Sequence, residues 1–112
     1  RYLSRKSVEL MTANHLPPNV RYTDRTLTVW ANLSPTPDYG TGFGLGFAVR
    51  TEQGRSSMQG SVGEFWWSGA TGTNFVADPK EKLILVLLTQ QPTRMWDYLA
   101  LMRQMGHAMV VD

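Results

Sequence analysis

The sequence predicts an α/β protein of the α+β type: an antiparallel sheet of about four strands flanked by an N-terminal and a C-terminal helix. Three observations carry this. A stretch with a helix-capping serine opens the chain and stops at Pro17-Pro18; short extended segments between Gly42 and Thr89 are punctuated by glycines and an Asp-Pro turn; and Met95, Leu99, Met102, Met105 and Met109 recur at helical steps near the end. The predicted organisation is a single segment over 1–112: helix over 1–16, loop over 17–41, antiparallel strands over 42–89 and helix over 93–111.

In the first helix Ser4 is the N-cap, its hydroxyl placed to accept from a free N–H of the first turn. Val8, Met11 and Leu16 supply the apolar side. His15 lies near the helix C-terminus, where positive charge is favoured by the dipole; with His107 as the second of only two histidines, and no cysteine, a metal site is not expected. Asn19 to Thr41 is rich in Pro, Thr, Asn and Asp, with Thr26-Leu-Thr-Val-Trp30 as a short strand or extended loop. Asn32-Leu33-Ser34 matches a glycosylation acceptor, which the following Pro35 disfavours.

Gly40, Gly42, Gly44 and Gly46 alternate with Thr41, Phe43, Leu45 and Phe47. The spacing contains neither G-x-G-x-x-G nor a P-loop, so a nucleotide-binding reading of this glycine run fails. A period of two predicts one strand, continuing through Ala48-Val49-Arg50, with large residues on one face and bare backbone on the other. A second strand, Glu64 to Ser68, hairpins back onto it; Thr73 to Ala77 is the third, and Asp78-Pro79-Lys80-Glu81 is a turn. Leu83 to Thr89 is the fourth. Its unbroken apolar run predicts burial on both faces, hence helices on each side of the sheet. The methionine stripe of the last helix is expected to pack on that sheet.

Composition narrows the function. Eleven Lys plus Arg stand against nine Asp plus Glu, and no basic run exceeds Arg5-Lys6, so a nucleic-acid surface is not expected. The longest apolar run, Leu83–Leu88, is too short to span a bilayer. Absence of cysteine excludes disulfides and does not choose a compartment.

The stretch from Ser61 to Pro79 is the most distinctive. Trp66 and Trp67 run into Ser68-Gly69-Ala70, and Gly72-Thr73 follow. A glycine within a strand marks a bulge or a close approach of ligand or backbone. On the residues alone two readings stand: a hairpin corner at Gly69 and Gly72 beside core tryptophans, or a strand edge baring N–H groups to a substrate carbonyl. Trp67-Ser68-Gly69-Ala70-Thr71-Gly72-Thr73, followed by Asn74-Phe-Val-Ala-Asp-Pro79, closely resembles the third motif region of the serine β-lactamase and penicillin-binding-protein superfamily. It is most similar to the class C-like branch, with its family VIII carboxylesterases, D-aminopeptidases and acyltransferases. Ser4 to Leu16 and Tyr39 to Val49 extend the resemblance in the family's order.

The resemblance implies the C-terminal part of a β-lactamase/transpeptidase-like fold of bacterial type, acting without a cofactor on a small-molecule ester, amide or β-lactam. Such enzymes attack the carbonyl with the serine of an S-x-x-K motif, aided by the tyrosine of Y-x-N. Neither motif is present: no serine has lysine three residues on, and no tyrosine has asparagine two on. The nucleophile is therefore expected on a missing N-terminal segment or a partner chain, the chain alone is expected to be inactive, and self-association is possible through the face so left open. By the resemblance Trp67-Ser68-Gly69 is the third motif, written K-T-G in many relatives, and lines the substrate. The N–H of Ala70 would be the second oxyanion-hole donor. An indole at Trp67 cannot supply lysine's cation to a β-lactam carboxylate, which favours esters or acyl transfer. The alternative is a non-catalytic binding or assembly module with Trp30, Trp66 and Trp67 as an aromatic platform.

Overall fold

A computed structural model describes residues 2–30 and 34–111, without the side chain of Trp30. Five strands form one antiparallel meander: β1 (Thr41–Phe43), β2 (Ala48–Arg50), β3 (Phe65–Ser68), β4 (Asn74–Asp78) and β5 (Leu83–Leu87), each paired with the next. Helices α1 (Arg5–Met11) and α2 (Asp24–Trp30) precede the sheet, and α3 (Met95–His107) follows it. The expected antiparallel sheet with helices at both ends of the chain is observed.

It has five strands because the glycine-spaced stretch is a hairpin and not one strand. Gly44 N–H donates to the Phe47 carbonyl at 2.7 Å, and Gly46 turns the chain at φ 101°, where a side chain would be strained. Alternation of glycine with bulky residues thus reflected a turn and close approaches. Thr26–Trp30, expected to be extended, lies instead in α2, with Asp24 in its first turn and Thr23 Oγ1 accepting from Thr26 N–H at 3.3 Å. Asn32 and Leu33 of the glycosylation match lie outside the described residues.

Ser4 caps α1, its hydroxyl accepting from Ser7 N–H at 3.0 Å. The helix ends at Met11, well before Pro17, because later backbone groups are taken up by the β1 end of the sheet. His15 N–H donates to the Phe43 carbonyl at 2.9 Å, Asn14 Oδ1 accepts from Phe43 N–H at 3.1 Å, and Leu45 N–H donates to the Met11 carbonyl at 2.8 Å. None of the α1 side chains is buried.

The core lies on one face of the sheet. Ala48, Trp66, Val76 and Leu85 are cross-strand neighbours in one row, and Leu99 of α3 closes over them. The buried positions of α3 are Leu99, Arg103 and Gly106, so the stripe facing the sheet has an arginine at its centre. Met105 and Met109, expected in that stripe, are 62% and 68% exposed. The opposite face carries Phe47, Phe65 and Phe75 in ring contact at 5.3 and 5.7 Å, continuing to Val86 beside Phe75. Here the expected two-sided burial of β5 fails: Ile84, Val86 and Leu88 are 73%, 62% and 81% exposed, while Leu83, Leu85 and Leu87 are half-buried. A continuous apolar run met the pleat as any strand does, with alternate residues on opposite faces, and α3 lies on one of them.

Candidate functional site

Ser68 and Asn74 are the last paired residues of the β3–β4 hairpin. Beyond them Gly69 N–H donates to the Thr73 carbonyl at 2.7 Å and Gly72 N–H to the Gly69 carbonyl at 3.0 Å, with Gly72 at φ 102°. This is a tight turn through Ala70 and Thr71 followed by a left-handed bulge residue, for which glycine is the default. The hairpin-corner reading of Gly69 and Gly72 is therefore correct as structure. A Cβ on Gly69 would meet Thr73 Oγ1 at 2.2 Å, so its bareness accommodates a neighbour within the hairpin.

Ala70 sits at the exposed tip, and among the described residues its N–H enters no backbone hydrogen bond. Two cavities flank the corner. One, of about 360 Å³, lies among Trp67, Ser68, Gly69, Phe75, Val86 and Leu88. The other, of about 170 Å³, is lined by Val29 of α2, Ser68, Gly69, Ala70 and Met95 of α3. Trp67, Ser68, Gly69 and Ala70 thus come together around one corner. Trp67 is half-buried and meets Phe43 edge to face at 5.0 Å. Ser68 is on the same side of β3 as Trp66, and its hydroxyl donates to Asn74 Oδ1, whose Nδ2 donates to the Gly72 carbonyl at 2.9 Å. Asn74 was missed in the sequence; its signal is its placement directly across the hairpin loop from Ser68. Val29 and Met95 carry no local signal, since only the fold brings them to the corner.

Trp66 is 2% exposed in the core, so the three-tryptophan platform is not formed; the Trp30 side chain lies outside the described residues. Beneath Trp66 lies a buried charge network. Glu64 Oε1 accepts from Arg50 Nε and from Arg103 Nη1, both at 2.8 Å, and the Arg103 guanidinium stacks 4.7 Å from the Trp66 ring centre. Burial pushes the Arg103 guanidinium below its ordinary pKa, opposed by Glu64. Asp78, also buried, caps the turn after β4, accepting from the N–H groups of Ser61, Lys80 and Glu81 at 3.1, 3.1 and 3.2 Å. Burial alone would raise its carboxyl, but hydrogen bonding from the Ser61 side chain and then from these backbone N–H groups outweighs it and holds the pKa below the usual value. Glu64, Asp78 and His107 bring ligand-type atoms within 4.8 Å of one another. The two arginines already balance the two carboxylates there, so an added divalent cation would leave an excess of buried positive charge. The network's arrangement is that of a structural tie between α3 and the sheet.

Fold and site define the class: an antiparallel sheet backed by a C-terminal helix, with its third strand ending in a bare W-S-G corner. The model of the family named Beta-lactamase matches residues 6–108, and the chain belongs to that family. Two curated Mycobacterium tuberculosis proteins, Uncharacterized protein MT1414 (strain CDC 1551 / Oshkosh) and Protein Rv1367c (strain ATCC 25618 / H37Rv), are each 36% identical over 94 residues, covering 80% of this chain and 21% of theirs. A solved structure of Simvastatin Synthase (LovD) from Aspergillus terreus, the LovD6 mutant, superposes with TM-score 0.60 at 20% identity, over 95% of this chain and 28% of that one. This likeness concerns the fold. The chain spans about a fifth of the length of the curated relatives it matches. No helix among the described residues is long and apolar enough to cross a membrane.

Proposed function

We propose that this chain forms one wall of a serine acyl-transfer site acting on small esters or amides, with the nucleophile carried by polypeptide outside these 112 residues. The observation that supports it most is at Ala70: an exposed residue whose N–H has no backbone partner among the described residues, at the corner of a W-S-G strand in a Beta-lactamase family chain. In this reading Ala70 N–H donates to the oxyanion as the tetrahedral intermediate forms, and Trp67, Ser68 and Gly69 line the substrate. The open face of Phe75, Ile84, Val86 and Leu88 packs against the polypeptide that bears the serine. Trp67 gives the site an apolar wall where a lysine would give a cation, which suits uncharged acyl groups.

The purified 112-residue chain is expected to turn over neither p-nitrophenyl butyrate nor a chromogenic cephalosporin, and clear turnover of either would overturn the reading. With the nucleophile-bearing polypeptide present, Ala70→Pro is expected to lower kcat about a hundredfold by deleting one oxyanion donor. Proline suits the second position of the Gly69–Gly72 turn, so the hairpin survives the change. An unaltered kcat in a folded Ala70→Pro protein would remove Ala70 from the mechanism.

A further inference from the structure

The polarity of Ser68 is fixed by its neighbour. Asn74 is 4% exposed, and its carboxamide has one orientation: the Gly72 carbonyl at 2.9 Å can only accept, so the group facing it is Nδ2 and the group facing Ser68 is Oδ1. An amide oxygen only accepts as well. The single proton of the Ser68 hydroxyl is thus committed to Asn74, and Ser68, a residue that lines a cavity together with Ala70, keeps lone pairs alone on its Oγ. The Ala70 amide offers the complement, a proton alone. Among the described residues, no lysine or arginine lines either cavity at the corner.

We infer that the Ser68–Asn74 pair makes this corner selective for neutral acyl compounds bearing an N–H or O–H beside the carbonyl, carboxamides above all, and selective against carboxylates. The inference rests on the reading of the corner as an acyl site and specifies its substrate class. A carboxylate presents acceptors only, so it meets the Ser68 lone pairs with repulsion and finds no cation to offset it. An ester satisfies Ala70 and leaves Ser68 unused. A carboxamide satisfies both, and Asn74 is the positioning residue that enforces the choice.

The test is an NMR titration of the 112-residue chain with hexanamide, methyl hexanoate and sodium hexanoate, following the amide signals of Ser68 and Ala70. Hexanamide is expected to bind about fivefold tighter than the ester, the gain of one neutral hydrogen bond, with hexanoate weakest. Ser68→Ala is expected to bring hexanamide to the ester's level, and Ser68→Thr to restore its advantage, while retained signal dispersion reports that each variant is folded. Hexanoate binding as tightly as hexanamide overturns the inference. So does an amide advantage that survives Ser68→Ala. Ester binding with no amide preference overturns this inference alone, whereas binding of none of the three overturns the acyl-site reading with it.

Discussion

Glu64 is 0% exposed and, among the described residues, is the only carboxylate to which the structure pairs Arg50 and Arg103, themselves 2% and 1% exposed. Removing it would strand two guanidiniums in the core. Glu64→Ala is therefore expected to destabilise the fold by about 3–5 kcal/mol, measured by urea unfolding. The Asp78 carboxyl acts through pH. Its folded pKa lies below the ordinary value of 3.8, so its contribution is fully present above that value and is lost as pH falls through the depressed one. The urea midpoint of Asp78→Asn should lie below that of the unaltered chain at pH 7, and the gap should close progressively below about pH 4. A gap independent of pH would refute the linkage. Neither role was legible in the sequence: Arg103 stood inside an apolar stripe and Glu64 at the mouth of a strand, and nothing local says that they meet.

Among the elements, the β1–β2 hairpin and α1 are joined by backbone. A Cβ on Gly44 would meet the Met11 carbonyl oxygen at 2.1 Å, and this obstacle cannot swing aside as a side chain would. Gly44→Ala is expected to cost about 1–3 kcal/mol and to loosen α1 from the hairpin. Faster tryptic cleavage at Arg5 and Lys6 would be the readout; an unchanged rate would place the strain elsewhere. The β3–β4 hairpin was the most legible element, because Gly69-Ala-Thr-Gly72 has the chemistry of its turn. The β1–β2 hairpin was the least, since glycine alternation is compatible with a strand, and the contact with Met11 that explains Gly44 is thirty-odd residues away in sequence.

At the scale of the whole molecule the sheet has one covered and one open face. Exposed at 73% and 62%, Ile84 and Val86 contribute little to the isolated fold. Replacing both by threonine should change stability by no more than about 0.5 kcal/mol per site while reducing binding of a hydrophobic dye such as ANS. A large loss of stability would show that this face is packed. The sequence of β5 could not distinguish a strand buried on both faces from one buried on a single face, because both are written in Leu, Ile and Val.

By itself the sequence determined the strands β3, β4 and β5, the Ser4 cap and the closing helix. Each depends on contacts within a few residues, through capping, turn chemistry or periodicity. Only the tertiary structure decided that Trp66 is core and Trp67 borders a cavity, that Ser68 gives its proton to Asn74, and that Arg50, Glu64 and Arg103 form one network. These are matters of which groups meet across strands and between helix and sheet, and the energies of buried charges and hydrogen bonds depend on that meeting and not on residue type alone.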